Sequence, residues 1–448
     1  MNTAVKKRSF PELCVADAGG RIFNVPFLSA VGMKAGFYDV LRPAQLIKMP
    51  CGSQLFMLPG RTPVGFAPSD NELVSLDRNP FSKTLEPCFA VAAFVSPGYA
   101  TAYNAAYIEI KGTRLLPLFA YTAVAFYRGE FYAASTRVDR ELRQDIRFMD
   151  MNRVKRNVKI FRKQFPANRL VAHLESCALV NQCPAAKNFF LRRYEGPLPT
   201  SPSCNARCAG CLSLQPEGDC PATQPRIRFV PTPEEIAEVA LFHLSGVKDP
   251  VVSFGQGCEG EPLLAGNAIE QAVKLIRART RKGMININTN ASKPAMLARL
   301  FDAGMDSIRV SLNSVQPDCY RRYYRPRGYT FSDVRESIRV AKQKGKFVSV
   351  NYLSIPGFTD SRAEVDAFRT FLDSGCVDMI QWRNLNYDPL AYFRLLRFRP
   401  DAKDLLGIRN LIDMVKRDYP HIMTGYFNPS RQRIRRFRLK ISKYKKVF

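Results

Sequence analysis

The strongest constraint on the fold is a regular alternation of apolar and amphipathic segments that follows Pro197, Pro199 and Pro202. The apolar runs begin about 23 to 40 residues apart, the length of one strand with its crossover helix. Strands that are each followed by a helix run in the same direction, so the pattern predicts a parallel sheet in a barrel or a partial barrel. The predicted strands are Val251–Phe254, Met284–Asn288, Ser307–Leu312, Phe347–Leu353 and Asp378–Trp382.

Helix signals fill the intervals between these strands. At the clearest one, Thr232 precedes Pro233, and Glu235 comes three residues after Thr232, which predicts a capping box at a helix start. The active site of a parallel barrel lies at the carboxyl ends of its strands, so residues just after each strand are the first functional candidates. Further helices are expected near Ala268–Arg279, Pro294–Ala303, Asp333–Lys344 and Arg362–Leu372.

The length of 448 residues predicts more than one domain. Residues 1–190 are predicted to form a mixed α+β N-terminal domain of unknown role, residues 191–395 the barrel core, and residues 396–448 a helical, strongly basic extension. In the first domain we expect one or two helices within Arg137–Phe165. Its predicted strands are Gly20–Leu28, Gln54–Leu58, Tyr107–Ile110 and Leu118–Tyr127.

The formal net charge is +28, and the segments 153–169 and 431–446 carry many basic residues and no acid. Such runs either contact phosphates or anionic lipid, or form a solvated surface. The longest apolar run, Leu115–Tyr127, is shorter than the roughly 20 residues that cross a bilayer, so we expect no membrane span. No signal-like apolar stretch follows the first basic residues, which predicts a cytoplasmic protein. There, 12 Cys favour metal or redox chemistry over disulfides.

Three Cys lie within eight residues, Cys204, Cys208 and Cys211, in a C-x3-C-x2-C spacing. Three thiolates on a short loop can hold three irons of a cubane cluster and leave the fourth iron open to an exchangeable ligand. Arg207, between the ligands, is placed to offset the negative charge of such a cluster. With Cys220 as a fourth ligand the same residues would bind zinc, and the chain would be a non-enzymatic, zinc-stabilised nucleic-acid-binding protein.

The spacing resembles the signature of the radical SAM superfamily, in which a four-iron four-sulfur (4Fe-4S) cluster binds S-adenosylmethionine (SAM). Gly260, Glu261 and Pro262 look like the Gly-Gly-Glu-Pro element that contacts the methionine amino group, with Glu259 in the place of the first glycine. The resemblance covers about residues 196–390. It implies an α/β fold with a partial (β/α)6-type parallel barrel of radical SAM type.

The resemblance implies further SAM contacts at the ends of the third and fourth strands. Asn288 and Asn290 end the third strand, whereas Ser311 and Asn313 share one face of the fourth strand with Arg309. Short polar groups at such positions can hydrogen-bond ribose hydroxyls or a carboxylate. Similar positions serve that purpose in the family.

The activity implied by the resemblance is reductive cleavage of SAM, which yields a 5′-deoxyadenosyl radical that abstracts hydrogen from a substrate. An electron donor such as a flavodoxin or ferredoxin is implied as well. Gln381 and Arg383, at the end of the sixth strand, are candidate substrate contacts, and Arg383 suits a carboxylate or phosphate. The family usually has an aromatic residue directly before the third Cys, where this chain has Gly210. The adenine environment is therefore expected to differ.

Two kinds of substrate are open at this point. Residues 321–327, RRYYRPR, interleave guanidinium groups with aromatic rings, a combination that suits phosphate contact and base stacking. RNA modification is therefore one hypothesis, and modification of a peptide, a protein or a small anionic metabolite is the other. A second metal site is a separate possibility, for which the candidate ligands are Cys177 and Cys183 with Cys220 or Cys258.

Overall fold

A computed structural model of the chain describes residues 10–84, 86–215 and 220–444. The end of the C-terminal basic run, Lys445 and Lys446, therefore lies outside the described residues, as do the first nine residues of the predicted N-terminal domain. None of the described helices is both long and apolar enough to cross a membrane.

The chain begins with an antiparallel β domain. Twelve of its strands join in one sheet, and β9 pairs with β14 in a separate ribbon. The strands are β1 (Glu12–Ala16), β2 (Ile22–Lys34), β3 (Phe37–Val40), β4 (Ile47–Lys48), β5 (Gln54–Leu58), β6 (Arg61–Ala67), β7 (Glu72–Ser75), β8 (Phe89–Phe94), β9 (Tyr99–Thr101), β10 (Asn104–Ala105), β11 (Tyr107–Glu109), β12 (Thr122–Tyr127), β13 (Glu130–Ala133) and β14 (Ser135–Arg137).

Two hairpins of this domain close with tight two-residue turns. Ala35 and Gly36 join β2 to β3 with φ of 52° and 89°, and Arg128 and Gly129 join β12 to β13 with φ of 53° and 84°. Positive φ at both central positions is typical of type I′ turns, whose twist matches that of the flanking strands. The predicted antiparallel arrangement is therefore confirmed.

Three helices lead from the β domain to the barrel: α1 (Met151–Gln164), α2 (Arg169–Leu179) and α3 (Pro184–Phe190). Helix α1 starts where the Asp150 carboxylate accepts hydrogen bonds from the amides of Asn152 (2.9 Å) and Arg153 (3.2 Å). The helix predicted within Arg137–Phe165 is thus confirmed for the part that begins at Met151.

The second half contains one parallel sheet of seven strands, which lie side by side in chain order. The inner strands are buried along nearly their whole length, as expected for a sheet covered by helices. This curled half-barrel confirms the predicted fold class. The strands are β15 (Glu195–Pro197), β16 (Val251–Phe254), β17 (Met284–Thr289), β18 (Ser307–Leu312), β19 (Phe347–Ser354), β20 (Met379–Asn384) and β21 (Met423–Gly425).

Helices follow the strands as predicted. The capping box at α4 is confirmed, because the Glu235 amide donates to Thr232 Oγ1 (3.2 Å) and the Thr232 amide donates to Glu235 Oε2 (2.8 Å). The helices are α4 (Pro233–Gly246), α5 (Gly266–Arg279), α6 (Pro294–Ala303), α7 (Pro317–Tyr324), α8 (Phe331–Gln343), α9 (Arg362–Asp373), α10 (Pro389–Leu396), α11 (Ile408–Asp418) and α12 (Arg431–Tyr444).

The last strand lies within residues 396–448, the segment predicted as a helical extension. β21 pairs in parallel with β20, and Asn428 follows it. The Asn428 amide nitrogen donates to Glu195 Oε1 on β15 at a distance of 2.7 Å. This side chain therefore links the two outermost strands of the half-barrel.

Buried polar contacts fix the β domain to the barrel. The Thr101 amide donates to Asn384 Oδ1 (2.8 Å), and Asn384 Nδ2 donates to the Tyr99 carbonyl (3.0 Å). Arg61 Nη2 lies 2.7 Å from Asp388 Oδ2. Because Asn384 ends β20, these contacts hold the β domain over the carboxyl ends of the parallel strands.

Candidate active site at the mouth of the barrel

The loop that carries the three Cys, residues 203–211, is held on one side by the last turn of α7. The amides of Arg207 and Ala209 donate to the carbonyls of Tyr324 (3.0 Å) and Tyr323 (2.9 Å). Both tyrosine side chains are buried. The aromatic rings of the 321–327 segment therefore support the cysteine loop.

On its other side the cysteine loop pairs with the loop after β16. The amides of Gly260 and Glu261 donate to the carbonyls of Ser201 (2.6 Å) and Ser203 (2.8 Å). A Cβ atom on Gly260 would lie 2.0 Å from the Ser203 carbonyl oxygen, so only glycine fits this close approach.

Glu259 occupies the position of the first glycine in the family element and has a structural role. Its carboxylate is buried and accepts hydrogen bonds from the amides of Thr200 (2.8 Å), Ser201 (2.9 Å) and Gln256 (2.6 Å). Burial raises the pKa of Glu259, while these backbone donors act against the increase. The side chain thus fastens the loop after β16 to the segment that enters the cysteine loop.

The thiols of Cys204, Cys208 and Cys211 line a cavity of about 460 Å³. A structural zinc site of this kind needs four protein ligands around one ion. Cys220 is buried in the hydrophobic core and is not among the residues that line this cavity. The zinc interpretation of these four Cys therefore gains no support.

The positive charge beside the thiols comes from Arg226, which the sequence patterns did not predict. Arg226 Nη2 lies 3.5 Å from Cys211 Sγ and donates toward it, and Nε donates to Ser213 Oγ at 3.1 Å. Arg207, the predicted counter-charge, is exposed on the outer side of the loop. Arg226 lies 15 positions after Cys211 in the sequence, so the local spacing of the three Cys did not point to it.

Glu261 is a buried acidic residue of the cavity lining. Its carboxylate accepts hydrogen bonds from the amides of Asn290 (2.8 Å) and Leu263 (3.0 Å) and from the Thr289 hydroxyl. Burial raises the pKa of Glu261 to about 7, although these donors favour the ionised form. The carboxylate is therefore ready to gain a proton near neutral pH or to pair with a cation.

Asn288 and Asn290 both line the cavity, and their side chains also hydrogen-bond to neighbouring loops. Asn288 Nδ2 donates to the Gly255 carbonyl (2.9 Å), and Asn290 Nδ2 donates to Asn205 Oδ1 in the cysteine loop (2.8 Å). The end of β17 is thus joined to the loops on either side.

Ser311 lines the cavity, whereas Asn313 does not. Asn313 is fully buried, and its Nδ2 donates to the Tyr392 hydroxyl at 3.0 Å. Asn351 on β19 is a cavity residue that the sequence reasoning did not select; its Nδ2 donates to Ser311 Oγ (3.5 Å), and its buried Oδ1 has no hydrogen-bond partner among the described residues. Strand alternation beside Ser311 was the available signal for Asn351.

Two guanidinium groups, Arg309 and Arg383, face the cavity. Arg309 Nη1 donates to Gln381 Oε1 (3.4 Å), and the Arg383 guanidinium lies 3.9 Å from the centre of the Tyr426 ring. In the part of the chain that the structure describes, the buried Nε atoms of both arginines lack hydrogen-bond partners. Burial, followed by repulsion from Arg383, lowers the pKa of Arg309 to about 9. Gln381 is buried behind the cavity wall, where its Nε2 donates to Asn428 Oδ1 (2.9 Å).

Tyr323 of α7 packs beside Gly210, the position where the family usually has an aromatic residue. A Cβ atom on Gly210 would lie 2.6 Å from the Tyr323 hydroxyl oxygen and 3.0 Å from the Asn386 carbonyl oxygen. Tyr323 from α7 therefore occupies the space that opens beside this glycine, and it lines the cavity.

The β domain contributes one side of the cavity. Phe94, Val95 and Pro97, together with Gln144 after β14, belong to the cavity lining.

Three thiols at the mouth of a parallel half-barrel, beside a buried carboxylate, define the class of barrel proteins that bind an iron-sulfur cluster. Residues 198–368 match the family model of the radical SAM superfamily, and this part of the chain is a radical SAM domain. Enzymes with this domain use a 4Fe-4S cluster and SAM.

The similar curated proteins each match part of this chain. GTP 3',8-cyclase from Lactiplantibacillus plantarum is 27% identical over 48% of this chain and 58% of its own length. GTP 3',8-cyclase from Aquifex aeolicus is 31% identical over 38% of this chain and 51% of its own. Molybdenum cofactor biosynthesis protein 1 from Homo sapiens is 26% identical over 49% of this chain and 31% of its own length. The chain thus spans about half, or less, of these relatives.

Proposed function

We propose that this chain is a radical SAM enzyme whose cluster is held by Cys204, Cys208 and Cys211 and whose substrate is a small anion. When bound, the cluster and SAM supply a one-electron cleavage that yields a hydrogen-abstracting 5′-deoxyadenosyl radical. The observation that carries the proposal is the group of three Cys that line one cavity together with Gly260, Glu261 and Pro262. Arg226 beside Cys211 suits the negative charge of a thiolate-ligated cluster.

The loop at Gly260, Glu261 and Pro262 is proposed to hold the methionine part of SAM. Its two backbone amides are engaged by Ser201 and Ser203, which leaves the buried Glu261 carboxylate as the anionic partner for an ammonium group. The remaining SAM contacts are proposed from Asn288, Asn290, Ser311 and Asn351, whereas the predicted contact Asn313 lies outside the cavity lining.

Arg309 and Arg383 in the cavity lining support the proposal that the substrate is an anion. Two guanidinium groups in one partly buried cavity repel each other, and burial together with this repulsion lowers the pKa of Arg309. Each has a buried Nε with no hydrogen-bond partner within the described segments. A carboxylate or phosphate would satisfy both donors and remove the repulsion.

The site favours a small substrate over RNA. The cavity of about 460 Å³ must accept SAM as well, and the β domain contributes one side of it. The tyrosines of the 321–327 segment are buried against the cysteine loop and so are not free to stack on bases. GTP, which the names of two relatives specify, is itself a small polyanion.

The electron donor is proposed to be an acidic flavodoxin or ferredoxin. Arginines cover the outer side of the cysteine loop, close to the place where the cluster would receive an electron. Complementary charge speeds the encounter of two such proteins, so reduction should slow as ionic strength rises. The arginines are Arg207, Arg321, Arg322, Arg325, Arg327 and Arg397.

Substitution of one cluster ligand tests the assignment. Cys208→Ala should lose the brown iron-sulfur absorption and stop formation of 5′-deoxyadenosine in anaerobic dithionite assays, because two thiols no longer hold the cluster. Cys376→Ala, at a partly exposed position in the turn after α9, is the matched control and should keep both. Unchanged 5′-deoxyadenosine from Cys208→Ala would contradict the proposal.

The substrate class is tested by hydrogen transfer. Extract from cells grown in heavy water is divided into dialysable anions, dialysable cations and neutral compounds, peptides, and RNA, and each fraction is incubated with the enzyme. Deuterium should enter 5′-deoxyadenosine only from the dialysable anions, and Arg383→Gln should reduce that transfer by roughly tenfold or more through loss of a charge-assisted bond. Transfer from RNA alone would refute the small-anion proposal.

A further inference from the structure

A second group of metal-binding side chains lies where helix α2 meets the loop after β16. His173 and Cys177 are four residues apart on α2, so both point from one face of the helix. His173 Nε2 lies 3.5 Å from Cys177 Sγ and 3.4 Å from Cys258 Sγ. The three ligand atoms all lie within 4.8 Å of one another, and both thiols are almost completely buried.

These separations fit the edges of a tetrahedron around one ion. Zinc bonds of about 2.3 Å to sulfur and 2.0–2.1 Å to nitrogen, at tetrahedral angles, set ligand atoms ~3.6 Å apart. The same separations are too short for a cubane cluster, whose thiolates bind different irons. The thiols of Cys177 and Cys258 are free and form no disulfide with each other.

We propose that His173, Cys177 and Cys258 bind one Zn²⁺ ion, distinct from the cluster in the barrel mouth. Imidazole and thiolate are the ligands that zinc prefers, and Cys2His sets with a fourth position for another ligand are known zinc sites. A water molecule can complete the tetrahedron.

The proposed zinc ion would link helix α2 of the N-terminal half to the radical SAM domain. His173 and Cys177 belong to α2, whereas Cys258 is only two residues from Gly260, which packs against the cysteine loop. Metal that binds the folded chain alone stabilises it. Removal of zinc is therefore expected to lower the thermal midpoint without removing the iron.

The metal content of the full-length, anaerobically purified protein tests this site. Plasma mass spectrometry should find one zinc per chain in addition to the iron of the cluster. Cys177→Ser should lose at least nine-tenths of the zinc and keep the iron, while the control Cys376→Ser should keep both. A wild-type protein without zinc, or full zinc in Cys177→Ser, would overturn the proposal. Loss of iron in Cys208→Ala with zinc retained would show that the two sites are separate.

A second measurement needs no variant and so does not depend on whether Cys177→Ser folds. Zinc-edge X-ray absorption of the wild-type protein should show both sulfur at about 2.3 Å and imidazole nitrogen at about 2.0 Å. A shell of sulfur alone would put the zinc elsewhere and refute the assignment. A mass lower by two hydrogens, with Cys177 and Cys258 joined in one disulfide-linked peptide pair, would refute it as well.

Discussion

At the scale of single residues, the site depends on charges whose state is set by burial. Glu261 is buried, and its pKa is raised to about 7, because three hydrogen-bond donors compensate only in part for lost solvation. A cationic ligand that pairs with this carboxylate favours its ionised form. SAM binding should therefore couple to the protonation of one identified residue.

This coupling predicts the pH dependence of SAM affinity. Affinity should rise as pH increases through about 7, because Glu261 loses its proton there. Glu261→Gln should weaken binding by roughly 10- to 100-fold and flatten that dependence, as expected for loss of a charge-assisted bond. Equilibrium dialysis with the cluster-loaded protein between pH 6 and 8 measures both. An equally steep dependence in Glu261→Gln would contradict this assignment.

At the scale of elements, α4 packs its histidine against the first strand of the half-barrel. His243 stacks on Phe189, and a Cβ on Gly196 in β15 would lie 2.8 Å from the imidazole ring. Its Nε2 lies 3.3 Å from the Tyr194 carbonyl. Burial lowers the pKa of His243 to about 4, so the ring is neutral at pH 7.

This packing predicts acid sensitivity. The unfolded chain takes up the proton below pH 6.5 and the folded chain only near pH 4, so stability is complete above 6.5 and falls as pH decreases from there to about 4. The loss amounts to roughly 3 kcal/mol. His243→Phe should lose correspondingly less stability over this range, measured as the urea midpoint at pH 7, 5.5 and 4.5. His421→Phe, at an exposed position, should behave like the wild type; parallel pH curves for His243→Phe and wild type would argue against this origin.

At the scale of the whole molecule, a buried ion pair joins the two halves. Arg61 in β6 and Asp388 at the start of α10 are 1% and 0% exposed, and the Arg61 guanidinium also donates to the Arg114 carbonyl at 2.8 Å. The Leu116 amide donates to Asp388 Oδ2 at 3.3 Å. The β domain is thus fixed to the barrel by contacts between side chains that are closed to solvent.

Loss of one partner should uncouple the halves. Asp388→Asn removes the fully buried partner of Arg61 and leaves only the partly exposed Glu109, 3.1 Å away, so it should cost up to roughly 3–5 kcal/mol, seen as a lower thermal midpoint. Asp404→Asn, which removes an exposed pair with Arg362, should change stability by less than about 1 kcal/mol. Equal effects of the two substitutions would contradict a special role for the buried pair. Arg61→Met combined with Asp388→Leu should recover much of the loss, since no charge then stays buried.

The sequence by itself determined the features that are encoded over short distances. Strand-and-helix alternation, the capping box at Thr232 and the three-Cys spacing depend on residues close in the chain, and they predicted the parallel half-barrel and the cluster class.

The tertiary structure alone decided which distant groups meet. Arg226 beside Cys211, Tyr323 beside Gly210, and His173 beside Cys258 each join segments that no local pattern relates. The side of the cavity formed by the β domain belongs here too, because its strands carry no motif that refers to the barrel. Such contacts depend on how whole elements pack, and a period of two or of 3.6 residues carries no information about packing partners.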